Sequence, residues 1–156
     1  AVDGKGRHVA ADGSIRDWWT PVADAAWTDR LNALSAQYGG YDYPGLAGRK
    51  LDATLTRDEN AADLAAVEVA WDAFVHAQPE ATDAGKEAFF AAWAGIWAEQ
   101  LSPVEAERRA GTAVQAPGRW RVNGPLSNLP AFGDVHGCKA GNAMVRKDEE
   151  RVSLWR

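Results

Sequence analysis

The chain has 156 residues, 46% of them hydrophobic and 25% charged, the balance of one globular domain with a core of its own. Lys and Arg number 17 against 22 Asp and Glu, so the formal charge of −5 disfavours a nucleic-acid partner, and no apolar run is long enough to span a bilayer. The one cysteine, Cys138, excludes an internal disulfide and leaves an inert thiol or a bridge to a second chain.

Residues 1–16 are polar and Gly-rich, with no helical periodicity and no signal-peptide core, which predicts a loop or short hairpin. A first helix then follows. Thr20 is placed to cap it, and Pro21 stands at the first helical position, where its missing N–H costs nothing. Ala23, Trp27, Leu31 and Leu34 form its apolar stripe, and Gly39-Gly40 closes it. Residues 41–55 are turn-rich and irregular. A second helix is predicted from near Asp58 to Gln78-Pro79, and a third over about 84–101 with Phe89, Trp93, Ile96 and Trp97 on one face. Ser102-Pro103-Val104-Glu105 has the spacing of a capping box and starts a short fourth helix. From Gly111 onward Gly, Pro and Asn break the pattern, and RWRVNGPLSNLPAF reads as loop, too irregular for helix. The predicted class is mainly α with long ordered loops. No repeat or low-complexity segment is visible in residues 1–156, which read as one unit without an internal boundary. Eight tryptophans predict an aromatic-rich interior or large buried contacts with another segment.

The second helix opens on ENAAD, which sets Glu59 and Asp63 one turn apart on the same face, beside the small Ala62 and Ala66. Two explanations compete. The macrodipole favours acids in a first turn. Alternatively, one carboxylate ligates a metal and the other orients a ligating histidine. The chain has three histidines, His8, His76 and His136, and none stands at a ligand spacing to another; HExxH, CxxC and HxH are absent. By spacing alone the chain does not build a three-ligand zinc site.

Seven stretches nonetheless resemble the carboxy-terminal third of the neprilysin and endothelin-converting-enzyme family of zinc metallopeptidases. VDGKGRHVAADGSIRDWWT is similar to the family's FDDxGRxxDxxGxxxDWWT, and AQYGGYDYPG to its short tyrosine-containing segment. TLTRDENAADLAA is similar to TLGENIADxGG, EAFFAAWAGIWA to the FFLxWAxxW helix, and PGRWRVNGPLSNLPAF to PGxFRVNGxLSNxPEF. GCKAGNAMVR and ERVSLW resemble the closing motifs, with Trp155 at the terminal tryptophan. The stretches stand in register along nearly the whole chain.

The resemblance implies the carboxy-terminal part of a thermolysin-like (gluzincin) catalytic domain that hydrolyses oligopeptides with Zn2+. It implies Glu59 as third zinc ligand, Asp63 as the carboxylate that orients a histidine, and Arg121 as the group that binds the substrate's peptide backbone. The family's HExxH lies just upstream of FDDxGR, so both histidines and the general-base glutamate are expected from an upstream segment or a separate chain. This stretch alone is expected to bind zinc weakly and not to cleave peptides. Family members commonly work outside the cytoplasm, which implies a periplasmic or extracellular place.

Three departures stand out. Gln115 occupies the position of a family histidine that stabilises the transition state, and an amide donates a hydrogen bond without carrying charge. Ala65 and Ala66 replace two glycines, crowding a close backbone approach, and Asp58 replaces a third, adding an acid near the metal position. These departures keep two rivals open: a catalytically inactive pseudo-peptidase or peptide-binding module, and a structural helical module. For Trp18, Trp19, Trp93 and Trp97 the expectation is core packing.

Overall fold

The computed structural model describes residues 5–155, so the first four residues of the expected amino-terminal loop and Arg156 lie outside the described range. Six α-helices follow one another: α1 Pro21–Gly39, α2 Arg57–Ala77, α3 Asp83–Ile96, α4 Pro103–Ala110, α5 Gly118–Leu126 and α6 Pro130–Val135. Short 3-10 turns at Gly6–His8 and Asp148–Glu150 flank them, and the only extended pairings among the described residues are two isolated antiparallel bridges, Val9 with Ile15 and Asp42 with Lys50.

Thr20 and Ser102 cap α1 and α4 as predicted, while the Glu105 carboxylate takes Arg108 as its partner and does not close the expected box. Thr20 Oγ1 accepts from the Ala23 N–H at 3.2 Å, and Ser102 Oγ accepts from the Glu105 N–H at 3.2 Å. Trp27, Leu31 and Leu34 are buried on α1 and Tyr38 continues their stripe, while Ala23 is exposed. On α2, Asn60, Ala61, Asp63, Leu64, Ala65 and Val67 are buried. Ala65 thus sits within the core, and Ala66 faces outward.

Three expectations are corrected. First, α3 ends at Ile96 rather than Leu101, because Gly118 seats against the Trp97 carbonyl and the chain turns away there. Its buried face is Phe90 and Trp93; Phe89 and Trp97 are half-buried and Ile96 is exposed. Second, the stretch read as loop from Gly111 onward contains α5 and α6. Pro125 lies inside α5 and has no N–H for the Arg121 carbonyl four residues back, and the Trp93 indole N–H reaches that carbonyl instead, at 3.3 Å. Pro130 stands at the start of α6, a position that tolerates it. Third, Trp18 is not core: it is half exposed and donates its indole N–H to the Gly6 carbonyl at 2.9 Å, whereas Trp93 is buried and Trp19 and Trp97 are partly so.

The core lies where α1, α2 and α5 pack on one another, with α6 against α3. A buried polar knot holds α1 to α5. Gln37 donates to the Gly124 carbonyl at 3.0 Å, and Asn128 donates to Gln37 Oε1 at 2.9 Å and to the same Gly124 carbonyl. The closing segment straps across it: the Val152 N–H reaches Asn128 Oδ1, the Leu154 N–H reaches Glu68 Oε2, and Arg30 Nε reaches the Ser153 carbonyl. Gly124 has no room for a side chain, since a Cβ there would overlap the hydroxyl and ring of Tyr38. Tyr38 is fully buried and bonds the Trp120 carbonyl, so it cannot swing aside. Gly124→Ala is therefore expected to destabilise this region by about 1–3 kcal/mol, read as faster hydrogen exchange in α1 and α5 together. Unchanged exchange would show that the Tyr38 contact yields.

Candidate functional site

Glu59 lies in the first turn of α2, half-buried, next to Asp58. The loop before it is wound tightly onto the helix start. Asp52 Oδ1 accepts from the Thr54 and Leu55 N–H groups, and the Thr56 hydroxyl donates to the Asp52 carbonyl. That donation leaves Thr56 Oγ1 as the acceptor for the Asn60 amide at 2.9 Å, which fixes which way the amide points. Asn60 is 1% exposed, and its Oδ1 is a buried acceptor with no partner among the described residues.

One turn beyond Glu59, Asp63 is buried and gripped by Arg121 of α5. Arg121 Nε meets Asp63 Oδ2 at 2.8 Å and Nη2 meets Oδ1 at 2.7 Å, a two-pronged ion pair. The Arg121 guanidinium lies over the Trp97 ring, 3.5 Å from its centre. The family resemblance implied separate partners for these side chains, a histidine for Asp63 and a peptide for Arg121; the fold joins them to each other. Neither is exhausted. Asp63 has used two of roughly four acceptor directions, and Arg121 has used two of its five N–H donors.

Electrostatics follow the burial. Desolvation pushes the Asp63 carboxyl up; the hydrogen bonds and charge of Arg121 pull it back, and the neighbouring Glu59 charge adds to the push. At Arg121 burial works against the charge, but the Asp63 hydrogen bonds and charge outweigh it and hold the proton more tightly. The pairing thus favours the charged form of both partners, and at Asp63 the cost of burial outweighs it.

Gln115 is half-buried in the connection between α4 and α5, two residues ahead of Pro117. No hydrogen bond joins it to Glu59, Asp63 or Arg121 among the described residues. A cavity of about 370 Å³ opens elsewhere, between the later part of α2 (Glu68, Trp71, Asp72), α6 and the closing segment with Trp155. It is lined by none of the four site residues. Within the described residues no group of three or more His, Cys, Asp or Glu stands together to hold a metal ion. The head of α2 thus brings together one carboxylate and, one turn on, a buried acid paired with a guanidinium. The roles of Trp97 and of the Asp63–Arg121 fork were not readable in the sequence, because 58 residues separate the paired charges.

A helix opening on two carboxylates, with the second gripped by an arginine from a later helix, fits the carboxy-terminal portion of a helical metallopeptidase domain. The chain belongs to peptidase family M13, whose sequence pattern matches residues 1–152. It is 27% identical to neprilysin of Mus musculus over 98% of its own length and 21% of that protein's. Among solved structures it is similar to PepO from Lactobacillus rhamnosis HN001, with 31% identity, a TM-score of 0.86, and coverage of 98% of this chain and 23% of that one. It is also similar to the zinc metalloprotease Zmp1 of Mycobacterium tuberculosis in complex with an inhibitor, with 27% identity, a TM-score of 0.90, and coverage of 99% and 25%. The chain thus spans about a fifth of the length of the curated relatives it matches. No helix among the described residues is long and apolar enough to cross a membrane.

Proposed function

We propose that this chain supplies one zinc ligand and the substrate-binding arginine to a metalloendopeptidase site that hydrolyses oligopeptides, completed by an HExxH motif on other polypeptide. The observation that carries the reading is the convergence at the head of α2. Glu59, the buried Asp63 and the guanidinium of Arg121 lie within one turn and one ion pair of each other. Glu59 is the ligand from this chain. The unused acceptor directions of Asp63 suit the N–H of a ligating histidine and would fix that ring's orientation. Arg121, held flat between Asp63 and Trp97, keeps donors for a peptide carbonyl, and its planar fork is set before substrate arrives. Zinc, when held there, supplies Lewis-acid polarisation of the scissile carbonyl and a water of lowered pKa.

Gln115 offers a neutral donor where the resemblance implies a histidine, so weaker stabilisation of the developing oxyanion belongs to the same reading. Loss of one such donor costs on the order of 10²–10³ in rate, and an amide recovers part of it. The same substitution is the observation that favours the second reading, a peptide-binding pseudo-peptidase. The complete gene product carrying this chain separates the two. It is expected to retain zinc through purification and to cleave oligopeptides, seen by mass spectrometry, until a chelator is added. A product that binds peptides without metal and without cleavage would establish the pseudo-peptidase instead.

A further inference from the structure

We infer that Glu99 is a positioning residue for Arg121, clamping the amino-terminal end of α5 onto the chain that leaves α3; this rests on the substrate-binding role proposed for Arg121. The start of α5 lacks a cap of the usual kind, because Pro117 has no side-chain acceptor. Glu99 takes that place from a distance: its Oε1 accepts from the Gly118 N–H at 2.5 Å. Its other oxygen, Oε2, accepts from Arg109 Nη1 at 2.8 Å, in the last turn of α4. An exposed Glu–Arg pair alone does little. A carboxylate bonded to the first N–H of a helix adds a charge-assisted bond at the positive end of the dipole.

The same short stretch makes a second contact with the same glycine. Gly118 sits where a Cβ would overlap the Trp97 carbonyl, so Trp97 and Glu99 together set where α5 begins. One turn further along α5, Arg121 lies over the ring of that Trp97 and forks Asp63. A slip of α5 by one residue is about 100° of rotation and 1.5 Å of rise, enough to take the guanidinium off both. Buried bonds from Gln37, Tyr38 and Trp93 hold the body and far end of α5 against that slip, and Glu99 holds its first N–H.

The test uses the complete gene product with Glu99→Ala, Glu99→Gln and Arg109→Ala. Glu99→Ala is expected to speed amide exchange in α5 about tenfold relative to α1, the effect of a lost cap. It is also expected to raise KM for an oligopeptide about fivefold with kcat nearly unchanged, the signature of lost binding. Glu99→Gln keeps an oxygen for the Gly118 N–H and should restore KM. Arg109→Ala keeps the carboxylate and should leave KM as it was. If all three variants lower the thermal midpoint alike and none moves KM, Glu99 is only structural and the inference is overturned. Should the unaltered product cleave no peptide, the proposed function fails by itself. The exchange of α5 in Glu99→Ala then decides this inference: faster exchange supports the clamp and unchanged exchange overturns it.

Discussion

Glu59→Gln is expected to strip the complete gene product of zinc and of peptide hydrolysis while leaving its fold intact. Loss of a carboxylate that merely supports a metal ligand costs about 10–100-fold in metal affinity or activity. Loss of the ligand itself should reach at least the upper end, about 100-fold in both. The change keeps shape and size and removes only the charge. Glu59 is half-buried in a first helical turn, so the stability cost should stay within about 1 kcal/mol, the worth of one acid near a helix dipole. Metal content after dialysis, peptide cleavage and thermal midpoint are the three measurements. Zinc and activity retained at the unaltered level would show that Glu59 is no ligand. A fall in stability with zinc retained would favour the helical-module reading, in which the acid serves only the helix.

Arg121→Met is expected to be the most damaging substitution for stability, and in a pH-dependent way. Removing one member of a buried ion pair typically costs about 3–5 kcal/mol, because the other charge is left without compensation. Here that charge is Asp63, 5% exposed. Its carboxyl is already shifted upward in the folded chain, with burial the first cause. A raised folded value means that folding favours the protonated acid. The stability this group contributes is full below the unfolded carboxyl's range and is lost as pH rises through the folded value. In Arg121→Met the guanidinium's opposing pull is gone and the carboxyl is pushed higher still. The deficit of the variant should therefore be small in acid, where Asp63 is neutral, and grow towards its full size near neutrality. Asp63→Asn makes the contrast: it strands a guanidinium that stays charged throughout and removes the group that titrates, so its deficit against the unaltered chain should not grow towards neutrality. Hydrogen exchange of the α2 and α5 amides across that range reads both. A deficit for Arg121→Met that is flat with pH would mean that Asp63 is not the stranded charge.

Much of the fold is legible because its signals are local. Thr20 and Ser102 cap the helices they precede, and the spacing of Trp27, Leu31 and Leu34 marks a buried face whatever lies opposite. The elements that escape a sequence reading share one cause. The Pro and Gly residues of RWRVNGPLSNLPAF argue against a helix when judged by propensity. Tertiary partners override that local preference: the Trp93 indole satisfies the Arg121 carbonyl that Pro125 leaves free, and Tyr38 occupies the space that Gly124 leaves open. The end of α3 is hidden for the same reason, since Gly118 and Trp97 meet across a gap in sequence that no window spans.

For the site, the spacing within ENAAD placed Glu59 and Asp63 on one face, and the motif order pointed to Arg121. A one-turn spacing is a property of any α-helix, so residue types in order suffice to state it. That Asp63 and Arg121 hold each other, that Trp97 lies beneath the guanidinium, and that Glu99 reaches the start of α5 were decided only by the packing of α2, α3 and α5. Those contacts depend on helix register and rotation, which arise from long-range burial and steric fit and leave no local trace in the chain that makes them.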